Sequence, residues 1–264
     1  MTTTQQSGDQ KPVAKRSTSE TGHPINLSSF EKLIEHVKTL GKDYQPSNKD
    51  LELLSLQKKY EEAKAALDQS DQCEADFDIA TDNRSDLYGG LKPLGLSILS
   101  NFRSTKVAES AKEAAQTVYN KLSGRPSKLK KKDVLVEGEE AAQTVSNSQQ
   151  SYVQLAQHFK DLNKVVAGHP EYAPNEKQLQ LASLDQMEKD LDRSNTIMSN
   201  AISTWAAARR TRNKIYYQEE TGLVKTAKLV KDYVLSVYKS HSPEYKTINN
   251  IPFRTIKNKK DNPA

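Results

Sequence analysis

The chain has 264 residues and a formal net charge of +5, with 35% hydrophobic and 28% charged residues but only 10 Gly and 10 Pro. That mixture suits long solvent-facing helices rather than a compact α/β enzyme, which needs more Gly turns and Val/Ile runs. No stretch approaches the ~20 apolar residues that span a bilayer, and a single cysteine, Cys73, excludes an intramolecular disulfide.

Residues 1–26 are polar and read as a disordered tail. They open Met-Thr-Thr-Thr-Gln-Gln without the apolar segment of a secretory signal, so the expected compartment is cytoplasmic. Ser28 and Glu31 have the spacing of a capping box, and Phe30, Leu33, Ile34, Val37 and Leu40 continue from it as an apolar stripe at helical period. Gly41 is a natural stop. After the turn Tyr44-Gln-Pro-Ser, with Ser47 as expected cap, neither Gly nor Pro occurs from Asn48 to Tyr88, which predicts a helix of ~60 Å if unbroken. Its a/d rhythm (Leu53, Leu56, Tyr60, Ala63, Leu67) weakens across the Asp/Ser/Asn-rich stretch 68–86, a composition that allows a break there. A third helix is expected after Pro93, kinked at Gly95 or Ser104 and ending at Leu122.

The same order then returns. Leu33, His36, Lys38, Leu40 and Lys42 recur 122 residues later as Leu155, His158, Lys160, Leu162 and Lys164. Tyr44, Pro46, Lys49, Leu51, Leu53 and Leu56 recur 128 residues later as Tyr172, Pro174, Lys177, Leu179, Leu181 and Leu184. The second long helix, expected from Asn175 to as far as Glu220, carries Leu181, Leu184, Leu191, Met198, Ile202 and Trp205 as its inward set. A closing helix follows Thr221-Gly222, with Leu229, Val230, Tyr233, Val234 and Val237 as its stripe. A fixed-offset match of this kind decides architecture before any other feature. The expected fold is all-α: two tandem copies of a three-helix unit with very long central helices, forming elongated antiparallel bundles of coiled-coil character. The segments are a tail at 1–26, one repeat at 27–127, a basic linker at 128–138, a second repeat at 139–246 and a basic tail at 247–264.

The positive charge is concentrated. Residues 123–133 contribute +4 and residues 246–264 another +4, leaving the remainder at −3. Lys128, Lys130, Lys131 and Lys132 in the linker, Lys257, Lys259 and Lys260 in the tail, and Arg209, Arg210 and Arg212 on the second long helix are therefore the candidate nucleic-acid-binding residues. The competing readings are solvated linkers for the lysines, and arginines that lie along the bundle and pair with carboxylates.

No phosphate-binding glycine loop and no nucleophile elbow is present, so no catalytic or cofactor-binding residue is expected. No metal site is expected either. His36 and His158 share a repeat position, but zinc wants three or four ligands. Glu20-x-x-His23 falls in the polar tail, and Asp71, Glu74, Asp76 and Asp78 read as a solvated face. Cys73 has no basic neighbour to make a thiolate. These features point to a non-enzymatic scaffold or protein-interaction protein able to self-associate. The alternative is association with nucleic acid, and behind both stands a membrane-active bundle, disfavoured by the charge of the long helices.

Overall fold

A computed structural model of the chain describes residues 22–125 and 150–255. Residues 1–21, the linker 128–138 and residues 256–264 of the tail lie outside the described residues. Among those described, the fold is all-α: α1 (Gly22–Leu40), α2 (Leu53–Gly89), α3 (Leu91–Ser104), α4 (Glu109–Ser123), α5 (Tyr152–Ala167), α6 (Leu181–Tyr217), α7 (Leu223–Tyr238) and α8 (Pro243–Asn249). Short 3-10 turns at Lys49–Leu51 and Lys177–Leu179 lead into the two long helices. Among the described residues no helix is long and apolar enough to cross a membrane.

The chain divides into two compact units that are not sequential halves. Unit 1 takes residues 1–71 with 207–264; unit 2 takes residues 72–206. Thus α2 and α6, each 37 residues long, contribute to both. The expected division into two tandem three-helix copies and the two packed units cut the chain differently. In unit 1 the first helix of the first copy, α1, packs on α7 from the second copy and on α8. In unit 2, α5 from the second copy packs on α3 and α4 from the first.

Unit 1 closes around Phe30, Leu33, Leu56, Tyr216, Leu223 and Val230, all fully buried. Unit 2 closes around Leu91, Ile98, Phe102, Leu122, Phe159, Leu162 and Leu184. Within each unit α2 and α6 run antiparallel. In unit 1, Tyr216 Oη donates to the Ala63 carbonyl at 3.3 Å and Arg212 to Ser70 Oγ at 3.0 Å. In unit 2, Phe77 stacks on Trp205 at 4.9 Å and Asn195 donates to Tyr88 Oη at 2.7 Å.

Helix α2 runs unbroken through the polar stretch that weakened its pattern. The seam there is built from Ser70, Cys73 and Ala80, buried small residues that a count of large apolar side chains overlooks. Ile202, expected to point inward, is 48% exposed. The seam residue at that level is Trp205, which stacks on Phe77, and Ile202 three residues earlier lies ~60° further round α6. The expected third helix is two, broken after Ser104, where the Thr105 N–H and hydroxyl both bond the Phe102 carbonyl. Gly95 is not a kink but a point of close approach: a Cβ there would stand 2.6 Å from Leu122 and 3.3 Å from Tyr119 of α4.

Helix α1 begins six residues before the expected Ser28, so residues 22–26 are not tail. His23 and Asn26 carry its buried face back from Phe30 at helical spacing, and Pro24 sits in the first turn, where no N–H is required. At the other end the tail does not start at residue 247. Ser242 caps α8, with Pro243 at its first position, and Ile248 and Ile251 are buried.

The recurring Tyr-x-Pro-x-x-Lys-x-Leu pattern proves to be one turn made twice. Tyr44 Oη donates to the Leu51 carbonyl at 2.8 Å, and Tyr172 Oη to the Leu179 carbonyl at 2.9 Å. The first turn is also capped by Asn48, which accepts from the Asp50 N–H, in place of the expected Ser47. Burial pushes the Tyr172 phenol up to about 12, with Glu176 adding to the rise, and raises Tyr44 further. The folded values lie above the unfolded ~10. The stability these phenols confer is therefore complete below pH ~10 and is lost as pH climbs toward the folded value. Alkaline titration followed by circular dichroism should show the bundle weakening above pH 10, and Tyr172→Phe should flatten that loss. At pH 7 the same substitution should lower stability by about 1 kcal/mol in urea unfolding.

Candidate functional site

Three places gather polar or open surface. The first, in unit 1, is built where α1 begins. His23 Nε2 meets Asn213 Oδ1 at 3.0 Å, and its ring packs edge-on against Tyr216 and Tyr217. One turn on, fully buried Asn26 turns its carboxamide to the main chain of Arg254. Nδ2 donates to the Arg254 carbonyl at 2.9 Å, and Oδ1 accepts from the Arg254 N–H at 2.7 Å. Nδ2 also faces Tyr217 Oη at 3.3 Å. From α7, Lys231 Nζ donates to the carbonyls of Asn249 and Ile251 at 3.0 and 2.6 Å and lies over the Phe253 ring. Partial desolvation lowers the Lys231 pKa, and the two carbonyls supply partners for its ammonium. Side chains of the helices thus grip the main chain of residues 249–254, a recognition mode indifferent to the sequence gripped. Beside it opens a groove of about 750 Å³ lined by Tyr217, Glu219, Glu220, Val224, Lys228 and Thr255.

The second place, also in unit 1, is a groove of about 370 Å³ at the tyrosine turn, lined by Val37, Lys38, Gly41, Tyr44, Pro46 and Leu53 among others. Leu54, next in the chain, is 78% exposed. The third, in unit 2, sets the Arg84 guanidinium 4.3 Å from the Tyr152 ring centroid, with Tyr88 edge-on to the same ring. Burial raises the Tyr88 phenol, opposed by its bond from Asn195 and by Arg84. This is a cation of α2 seated on one aromatic ring of α5.

The structure separates the arginines that sequence grouped together. Arg209 and Arg210 are exposed on α6, whereas Arg212 is buried at 2% exposure and donates to Ser70, so it does not belong to a solvent-facing basic surface. Helical geometry accounts for this: residue 212 lies one turn before buried Tyr216, on the seam. Lys128, Lys130, Lys131, Lys132, Lys257, Lys259 and Lys260 lie outside the described residues. His36 belongs to unit 1 and His158 to unit 2, both half-buried. Asp71, Asp76 and Asp78 are exposed, Glu74 is half-buried, and Cys73 is buried. Among the described residues no three His, Cys, Asp or Glu side chains form a group able to hold a metal ion.

Sequence reasoning missed His23, Asn26 and Lys231. The signal was present for the first two: they precede Phe30 by seven and four residues, the spacing of one helix face. Asn26→Ala should leave both main-chain groups of Arg254 without partners and cost about 2 kcal/mol; hydrogen exchange at residues 251–255 should accelerate well beyond that of α5. Arg212→Gln should destabilise clearly in urea titration, whereas Arg210→Gln should stay within about 0.5 kcal/mol of the natural chain. No family model, no curated protein and no solved structure matches this chain.

Proposed function

We propose that this chain is a cytoplasmic, non-enzymatic helical scaffold that binds protein, including further copies of itself. The observation that carries the reading is Leu54: a large apolar side chain 78% exposed, next to Leu53 in the wall of a groove that also presents Val37, Tyr44 and Pro46. Isolated exposed leucines are ordinary, but one beside a groove whose apolar wall is edged by Lys38, Gln45 and Glu52 has the layout of an apolar anchor with a polar rim. Val153 at 69% and Ile79 at 58% exposure add apolar points on unit 2. Leu54→Glu should leave urea stability within about 0.5 kcal/mol, because the side chain supports nothing in the fold. It should shift sedimentation profiles toward the monomer and reduce recovery of bound protein. A natural chain that sediments as a monomer at every concentration and retains no protein would overturn the reading.

A second reading, nucleic-acid association, is favoured by the exposure of Arg209, Arg210 and Lys214 on one stretch of α6. It gains from the basic segments outside the described residues and expects affinity to fall steeply with salt. The informative truncation ends the chain after Thr255, removing Lys257, Lys259 and Lys260 without disturbing buried Ile248 and Ile251. If the lysines touch phosphate, the log–log salt slope should shrink by roughly one for each contact removed. An unchanged slope would retire this reading.

A further inference from the structure

The chain leaves α7 through a backbone conformation that does not suit its residue. Lys239 has φ 64° and ψ 168°, and it is the one non-glycine residue with positive φ among those described. That region is essentially reserved for glycine, because an L side chain there crowds its own backbone. Beyond it, exposed Ser240 and His241 lead to α8, which packs on α1 and α7, and then to residues 250–255. This arm is held by apolar contacts of Ile248, Ile251 and Phe253, by Asn26 on the Arg254 main chain and by Lys231 on two carbonyls. All of these are bonds that the arm of another copy would make equally well. The helix just before the hinge leaves two apolar side chains in water, Leu235 at 37% and Val237 at 44% exposure.

We propose that residues 240–255 exchange between two copies of this chain, each arm seating on the α1–α7 face of the other. A strained hinge joining a body to a self-sufficient docking element is the arrangement that favours such exchange, since every closed contact is kept and only the hinge changes. Opening returns Lys239 to ordinary negative φ. It also brings the two hinges together, so that Leu235 and Val237 of each copy gain a surface to cover them. The inference rests on the self-association reading and names the element that would carry it.

The test uses the full chain in two singly altered forms, Asn26→Cys and Arg254→Cys, each also carrying Cys73→Ser. Neither can form a disulfide across its own Asn26–Arg254 contact. After mixing, incubation and mild oxidation, exchange predicts a covalent heterodimer on a non-reducing gel, absent when either form is oxidised alone before mixing. Lys239→Gly, made in the otherwise natural chain, removes the strain without touching the docking contacts. It should weaken dimerisation by roughly tenfold or more in sedimentation equilibrium. Dimers that yield no mixed disulfide and ignore Lys239→Gly would overturn arm exchange while leaving self-association intact. A chain monomeric throughout would overturn both.

Discussion

Two buried phenols set the direction of the chain at the points where a short helix hands over to a long one. Tyr44 and Tyr172 each reach seven residues forward to the carbonyl of the leucine that closes the 3-10 turn leading into a long helix. A buried carbonyl left without a donor would carry a desolvation penalty, so each bond both satisfies that group and fixes the entry angle of the long helix. Everything downstream inherits that angle: which face of α2 meets α6 in unit 1, and which face of α6 meets α2 in unit 2. The proline two residues after each tyrosine keeps the connection extended rather than helical.

Much of this was legible before any coordinates. The class of fold, the two long helices and most large core residues follow from apolar period, because a helix can bury only one face and the sequence must mark it. What escaped was polar or small. His23, Asn26, Ser70 and Arg212 occupy core positions without apolar side chains, so a hydrophobic pattern either stops early, as before Phe30, or appears to fray, as around Ser70. Their burial is tolerated because each meets a specific partner, and partners distant in sequence are invisible to local period. Asn26 and Arg254 are separated by 228 positions. The grouping of helices was likewise out of reach, since an apolar stripe marks which face of a helix is buried and not which helix covers it.

The candidate site illustrates the same division. Net charge directed attention to arginines and lysines in clusters, yet Lys231, a lone cation on the apolar helix α7, is the one that clamps the carbonyls of Asn249 and Ile251. Its ammonium bonds carbonyls and its stem lies along an aromatic ring. Such a residue is distinguished by depth and geometry, not by clustering. Conversely Arg209, Arg210 and Arg212 form a cluster in sequence that helix geometry divides between solvent and seam.

Trp205 is the sole indole in the polypeptide, and it lies face to face with Phe77 in unit 2. Any excitation at 295 nm therefore interrogates a single spot on the α2–α6 seam, with no contribution from unit 1. Emission wavelength and quenching by acrylamide would then record separation of those two rings as a local event, distinguishable from global melting seen in the far ultraviolet. The molecule thus carries its own optical gauge for the one bulky aromatic pair set between Cys73 and Ala80 on that seam.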